Sequence, residues 1–588
     1  MSGVWGRTRA RLRAAVGPLL GELRGTTEVD LGGAPAVCLC YDPGEALPLL
    51  RRAGPLRCQG PLPADLDPAA VGAEQGVARA VLVHPLRELR LLDALRAVRA
   101  GGREFHLVHA PGQACRAGAT GALALAAARE LERGLTRAPG AARLARAAGL
   151  RLAPWPSSSS TLHALEAVRA HARGRAVPPL PPGPPAVVHW VPSLPSGGAE
   201  RQLVYLARLQ AEAGARVRVL TSLPLEGTDA HYAPALREAG VEVRALLPWP
   251  RWRALPALHD AGGRPLPPAL LEALAGHAAA GELLALLLEL VRDPPAVLHG
   301  WLDEANATAG PAGLAAALPR VVLSTWNVNP SHFARLHKPW FRDSYRLLAD
   351  GPRLRVSANS RAGGDDYAAW ACFDPARVEV VPNGLSAAEW APLTPAEVSA
   401  GRARLGIPPG AFLVGGVFRL DPEKRPHDFL EVLARVRAAV PELRAVHVGT
   451  GTLAAEVQAR ARALRLDEAV RFLGRVERPR EALGLCDASL LTSAVEGSPN
   501  VSQESQLLEV PVILTRVVGS PETIRPGETG WTFPVSDLDG MAGALITLAR
   551  DRERRRAMGR AGREWIAREF SLEALAARTE TLYRGGGG

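Results

Sequence analysis

The sequence predicts an α/β protein made of two facing Rossmann-like domains with parallel sheets, preceded by a small α/β N-terminal domain. Three observations predict it. Beyond residue 186, short β-branched runs alternate with helical apolar spacing, the pattern of doubly wound sheets. A proline run, Val177-Pro-Pro-Leu-Pro-Pro-Gly-Pro-Pro185, favours extended geometry and separates that region from what precedes it. The third is supply: 588 residues with 47% hydrophobic and 22% charged content suffice for several ordinary domains.

The expected divisions are an N-terminal α/β extension over 1–176, the linker 177–185, one Rossmann-like domain over 186–390 and another over 391–588. In the extension, Arg79 to Val83 reads as a strand, Leu86 to Arg99 as a helix and Phe105 to His109 as a strand, with helical tracts over 119–148 and 160–172. His84 and His109 stand at strand ends, where structural histidines are the commoner case. In the next domain, Ala186 to Val191, Ala215 to Thr221, Ala296 to His299 and Arg320 to Ser324 read as strands, and Glu200 to Ala213 as a helix. The last domain gives strands over 412–418, 444–448, 470–473, 489–492 and 512–515, interleaved with helices over 427–438, 453–464 and 499–508. Proline-rich 391–409 suits a hinge, and the last helix is free to cross back.

Charge and cysteine usage narrow the class. The chain carries 70 Lys+Arg against 59 Asp+Glu, a net +11, which calls for an anionic partner. Lysine occurs only at Lys338 and Lys424, so each invites a reason. Six scattered cysteines without a CxxC pair offer neither a disulfide framework nor zinc spacing, which fits a reduced, cytoplasmic chain. No apolar run reaches spanning length, and the basic N-terminus lacks the core of a secretory signal.

Loops after strands are where open parallel sheets place ligands. Glu496-Gly-Ser-Pro-Asn500 puts Ser498 at an N-cap and Pro499 at a first helical position, an anion site flanked by Glu496 and Glu504 that could grip a nucleotide sugar from both ends. A capped helix with two surface glutamates is the plainer alternative. Arg419 and Lys424, in Val417-Phe-Arg-Leu-Asp-Pro-Glu-Lys-Arg-Pro426, could neutralise a diphosphate by fork and point charge. Gly197 and Gly198 allow a backbone to approach a phosphate, or make an ordinary turn. His299 closes its strand, and Asn327, Asn359, Ser360, Asn383 and Gly384 follow others. Gly449-Thr-Gly-Thr-Leu-Ala454 imitates a dinucleotide loop but lacks the acidic residue after the next strand, and Asp537-Leu-Asp539 imitates a metal-binding pair but better caps the helix that follows.

Taken together, the GGAER loop, the strand ending at His299, VSANS near Asn359, VEVVPNG ending at Gly384, VFRLDPEKRP, HVGTG, VRFLGRV and EGSPN resemble the retaining glycosyltransferase family 4 of GT-B fold. The resemblance runs from 186 to near the C-terminus and leaves the N-terminal extension outside. It implies a nucleotide-sugar donor, UDP-sugar before GDP-sugar, with Arg419 and Lys424 on its diphosphate, assisted by Gly197, Gly198 and the helix start at Ser498, Pro499 and Asn500. It puts Glu504 on the ribose, Glu496 on the donor sugar, backbone at Arg475 and Val476 against the nucleobase, and His299 beside sugar and acceptor. It implies no required metal or further cofactor. Where the family has a glycine after the second glutamate, this chain has Glu509. A sugar-nucleotide epimerase, a phosphorylase or an inert scaffold would share the cleft, but each fits the Arg, Lys and paired-Glu set less well. The acceptor is expected to be a glycan or lipid-linked group in cell-surface polysaccharide or glycolipid synthesis, met by the basic loop 329–343 with His332, Arg335, His337, Lys338 and Arg342. An anionic membrane surface on the inner face is the expected docking partner; nucleic acid is not.

Overall fold

The computed structural model describes residues 158–585, apart from 174, 176, 250–254, 334, 335 and 477, together with five strands nearer the N-terminus. It divides into two compact units, 1–152 and 153–588. In the first, β1 (Ala36–Cys40), β2 (Leu56–Gln59), β3 (Arg79–Val83), β4 (Glu104–Ala110) and β5 (Gln113–Gly118) form one sheet in the order β2-β1-β3-β4-β5. Its pairs are parallel except β4 with β5. His84 and the helices expected over 86–99 and 119–148 lie outside the described residues.

The second unit begins before the proline run, which corrects the expected boundary. Helix Ser158–Ala172 buries Leu165 and Val168 in the same apolar cluster as Val188, Trp190 and Leu270 of the following domain. One helical turn separates those two side chains, so they form a single stripe that is hidden only against that domain. The prolines therefore connect elements of one unit.

Its first sheet holds β6 (Val187–Val191), β7 (Val217–Thr221), β8 (Glu242–Ala245), β9 (Val297–Trp301), β10 (Arg320–Ser324), β11 (Leu354–Ala358) and β12 (Val378–Val380), all parallel, in the order β12-β11-β10-β9-β6-β7-β8. The second holds β13 (Leu413–Val417), β14 (Arg444–Val448), β15 (Val470–Gly474), β16 (Ala488–Leu491), β17 (Val512–Thr515) and β18 (Gly530–Phe533), also parallel, in the order β15-β14-β13-β16-β17-β18. Each order reverses once, between β6 and β9 and between β13 and β16. Chain leaving the strands at such a reversal opens a crevice at their carboxyl ends. The loops after β6, β13 and β16 carry the GGAER, DPEKRP and EGSPN segments.

Two connections tie the domains. The proline-rich stretch 391–409 is more than a hinge: Thr394 and Glu397 cap helix Pro395–Arg404 reciprocally, and Leu393, Val398 and Ile407 pack into the second domain's apolar cluster. The last helix, Leu572–Arg584, returns to the first domain, where Leu575, Leu582 and Tyr583 are each 1% exposed among Val187, Val191 and Trp301. No described helix is long and apolar enough to cross a membrane.

Glu509 stands where the family that the sequence resembles has a glycine. It has φ +60°, a left-handed conformation that costs an L-residue about 1–2 kcal/mol. Its carbonyl oxygen lies against Gly559 of helix Arg552–Glu569, so the turn is fixed from outside. Glu509→Gly removes the strain and adds chain entropy to the unfolded state. We expect a net gain of about 0.5–1 kcal/mol in urea unfolding; an unchanged or lower midpoint would show that the turn is not strained.

Candidate functional site at the domain cleft

The loop after β6 and the helix after β16 meet directly. Gly197 is the N-cap of helix Gly198–Glu212, and a Cβ on Gly198 would stand 2.5 Å from Asn500 Nδ2. The missing side chain leaves room for Asn500 of the other domain, which a larger residue would have to displace. Asn383 Nδ2 donates to Asn500 Oδ1 at 2.7 Å and to the Ser498 carbonyl at 3.2 Å. Gln202 joins the same seam by exchanging two hydrogen bonds with the Gly384 backbone, at 2.7 and 3.0 Å. Ser360 Oγ donates to the Gly497 carbonyl at 2.8 Å, and Glu522 accepts from the Arg361 and Ala362 N–H groups at 2.8 Å. Ser360 and Asn383 thus bind one domain to the other, while Gln202 fixes Gly384 within the first.

The helix after β16 spans Asn500–Leu507, with Pro499 as its N-cap residue. That shifts the expected start by one position. Ser498 does not cap it; its Oγ accepts from Gln503 Nε2 at 3.1 Å, and the residue is 9% exposed.

Lys424, Arg419 and Arg201 are each held by a carboxylate. Lys424 Nζ donates to Glu496 Oε1 at 2.6 Å, an oxygen shared with Ser493 Oγ at 2.6 Å. The Lys424 loop is itself clamped: Thr492 Oγ1 donates to the Lys424 and Arg425 carbonyls at 3.1 Å, and Ala494 N–H to the Glu423 carbonyl at 2.8 Å. Arg419 lies more open, paired with Asp421 at 2.8 Å and Glu423 at 2.5 Å. Arg201 forms an ion pair with Glu504 across the cleft and stands 5.7 Å from the centre of the Trp390 ring. The nearby Glu504 carboxylate keeps the guanidinium charged despite its burial. Arg475 donates to Ser196 Oγ, also across the cleft, with Val476 beside it. Glu200 folds back onto Gly197, and burial raises its carboxyl above the usual range.

His299 is not in the cleft, which corrects its expected place beside donor sugar and acceptor. β9 continues two residues past it, to Trp301, and His299 is 2% exposed. Nδ1 lies 2.8 Å from Tyr583 Oη and Nε2 2.6 Å from Ser324 Oγ, so both ring nitrogens are occupied. His189 lies alongside, with Nδ1 accepting from Trp301 Nε1 at 3.0 Å and Nε2 2.8 Å from Gln210 Oε1. The residues that reach the cleft from this side are Trp326 and Asn327, after β10. Trp326 stacks on Trp301, ring centres 4.9 Å apart and planes 3° from parallel, and Asn327 Cα lies 2.9 Å from where a Gly497 Cβ would sit. Trp326 (φ +53°) and Leu302 (φ +69°) both adopt left-handed backbone, strain that packing must hold.

The other motifs resolve as structural. A Cβ on Gly449 or Gly451 would strike the Phe418 or Leu420 backbone, so these glycines let two strand-end loops touch. Asp537 caps helix Leu538–Arg550 through Gly540 N–H at 3.0 Å, and Asp539 pairs with Arg435 at 2.9 Å. In the basic loop, His332 pairs with Asp366 at 3.0 Å and Lys338 with Glu304 at 2.5 Å, while Arg342 meets Cys372 Sγ at 3.1 Å; Arg335 lies outside the described residues. Sequence reasoning passed over Arg201, Gln202 and Trp326. The first two sit within one helical turn of Gly198, and from there Arg201 crosses the cleft to Glu504.

Burial holds His189 down to about 4, from 6.5. Between those values the unfolded chain binds a proton that the folded chain does not, so stability is full above pH 6.5 and falls as pH drops toward 4. At pH 5 the loss from this residue is about 2 kcal/mol. Urea unfolding at pH 7 and 5 checks it: His189→Gln should lose less stability than wild type over that interval, and an equal loss would refute the assignment.

Comparison with known families supports the fold. The model "Glycosyl transferases group 1" matches residues 399–565 and "Glycosyl transferase 4-like domain" matches 197–384, together more than half the chain. The Vi polysaccharide biosynthesis protein VipC/TviE of Salmonella typhi is 32% identical over 235 residues, 40% of this chain and 41% of that one. A GDP-mannose-dependent phosphatidylinositol monomannoside mannosyltransferase of Corynebacterium glutamicum is 33% identical over 213 residues, 35% of this chain and 55% of its own. The chain thus spans about half the length of the curated relatives it matches. Among solved structures, HepE of Anabaena in complex with UDP superposes with TM-score 0.56 at 20% identity, covering 68% of this chain and 99% of that one. The shared fold is two facing parallel-sheet domains.

Proposed function

We propose that this chain, which belongs to the group 1 glycosyltransferases with a family-4-like first domain, moves a sugar from a nucleotide-sugar donor to a glycan or lipid-linked acceptor with retained anomeric configuration. The observation that carries the proposal is the self-neutralised cleft. Lys424, Arg419 and Arg201 converge from both domains, and in the unliganded protein each rests on a carboxylate. A diphosphate entering between the Gly197-Gly198 loop and the start of helix Asn500–Leu507 offers those cations a denser anion. It takes Lys424 from Glu496 and frees that carboxylate for the donor sugar's hydroxyls.

In this reading Lys424 and Arg419 stabilise the charge that grows on the leaving diphosphate, without reorganising as the bond breaks. Backbone N–H groups at Gly198 and the Ser498-Pro499-Asn500 turn add fixed dipoles. Glu504, oriented by Arg201, receives the ribose hydroxyls, and backbone at Arg475 and Val476 faces the nucleobase. No metal is required by this assignment, because the fixed cations supply the countercharge. A UDP-sugar is the preferred donor, since HepE shares the fold and is known in complex with UDP and UDP-glucose.

The relatives' names pair related sequences with polysaccharide synthesis and with a phosphatidylinositol mannoside acceptor. Together with the net charge of +11, they support an acceptor in cell-surface polysaccharide or glycolipid assembly and a cytoplasmic protein docked on an anionic membrane face. His299, with both ring nitrogens occupied, touches neither donor nor acceptor in this reading.

Two measurements test the assignment. In a thermal-shift panel of UDP- and GDP-sugars, the true donor at a hundred times its Kd should add about 2.7 kcal/mol; no shift with any nucleotide sugar would remove the donor reading. Lys424→Ala should lower kcat by about 10²–10³, and transfer at the wild-type rate would show the phosphate site to be elsewhere.

A further inference from the structure

One obligate donor fixes the proton positions of a buried chain of hydrogen bonds. Tryptophan can only donate, so Trp301 Nε1–H forces His189 Nδ1 to accept. Neutral His189 then carries its proton on Nε2 and donates to Gln210 Oε1. That sets the Gln210 amide, whose Nε2 donates to Tyr583 Oη at 3.1 Å. The Tyr583 hydroxyl has one proton, and the acceptor the structure places beside it is His299 Nδ1, 2.8 Å away. His299 therefore also carries its proton on Nε2 and donates to Ser324 Oγ, which donates to Ser357 Oγ. The opposite sense beyond Gln210 would leave a buried phenol, the stronger donor, without an acceptor.

Both ends of this chain hold the same turn. Trp301 lies under Trp326 in a parallel stack, and the Ser357 carbonyl accepts from Thr325 N–H at 3.0 Å and from Thr325 Oγ1 at 3.3 Å, immediately before Trp326. Trp326 is the residue at φ +53°, and Asn327, next along, abuts Gly497 beside Glu496. A strained turn persists only where its surroundings over-determine it.

We propose that Tyr583, on the returning C-terminal helix, is a positioning residue of the cleft. Through the one-way chain Trp301, His189, Gln210, Tyr583, His299, Ser324, Ser357, it holds the Trp326–Asn327 turn against the loop that carries Glu496. The C-terminal helix thereby completes the first domain's side of the site, and the two buried histidines act as fixed connectors. The consequence for transfer rests on the glycosyltransferase reading; the bond sense does not.

Tyr583→Phe keeps the ring and deletes the link. In the folded variant, kcat should fall about tenfold, while affinity for the free nucleoside diphosphate, which Glu496 does not hold, stays within about twofold of wild type. A wild-type kcat, or an equal loss of diphosphate affinity, would overturn the positioning role. Independently, the full chain labelled with 15N-histidine, with signals assigned by their loss in His189→Asn and His299→Asn, should show both imidazoles as neutral Nε2–H tautomers at pH 7. A Nδ1–H tautomer or an imidazolium at His299 would overturn the chain itself. Were the wild type inert with every donor, the transfer reading would fail and the tautomers would still decide the chain.

Discussion

The Arg201–Glu504 ion pair is the contact on which the arrangement of the cleft turns. It joins the first turn of a helix in one domain to the middle of a helix in the other, and both side chains are largely buried. Taking two charges out of water costs several kcal/mol per ion, and removing one partner typically costs 3–5 kcal/mol because it strands the other. The pair therefore does more to specify how the domains face each other than to stabilise them. Around it, Gln202 on Gly384 and Asn383 on Asn500 use hydrogen bonds to backbone and amide groups, whose partners must be in register to be satisfied at all. Where such contacts bury a cation, as they do Arg201 and Lys424, it acts more strongly on a developing charge than it would in water.

The same logic explains why the unliganded cleft is filled with its own carboxylates. Lys424 and Arg201, both largely buried, would be costly without partners. Glu496, Asp421, Glu423 and Glu504 compensate these two and Arg419 at hydrogen-bonding distance, so the site is preassembled before any ligand arrives. Preassembly limits how tightly an anion can bind, since each new contact replaces an old one. It also means that the cations need not move to meet the departing group.

The fold was legible in the sequence because buried parallel strands are short apolar runs: Arg320–Ser324, Arg444–Val448 and Val512–Thr515 match their expected limits. Elements without that signature were not. β8 is a half-exposed edge strand, β12 has three residues, and helix Leu302–Ala315 is a run of small residues with Pro311 inside it and no apolar stripe. That helix is stable because Gly310 and Gly313 admit Leu348 and Val321 side chains into its surface, a fact of packing rather than of pattern. His299 was misplaced for a related reason. Gly300 interrupts the apolar run, so the strand reads as ended, whereas it continues because Asn306 and Ala309 fill the space a Cβ at Gly300 would need.

For the site, what can be read is which loops take part, and what cannot be read is who partners whom. Strand-end loops at a reversal of strand order are fixed by topology, and the GGAER, DPEKRP and EGSPN segments all lie at one. Arg201 and Glu504 are separated by 303 residues, and Tyr583 and His299 by 284, so neither pairing leaves any mark in local sequence. The second pairing carries the larger lesson. A histidine at the end of a central strand invites a catalytic reading, yet the decisive facts about His299 are the obligate donor of Trp301, which reaches it through His189, Gln210 and Tyr583, and that tyrosine from the C-terminal helix. The chemistry available to a buried imidazole is set by which of its nitrogens the neighbours leave free, and here they leave neither.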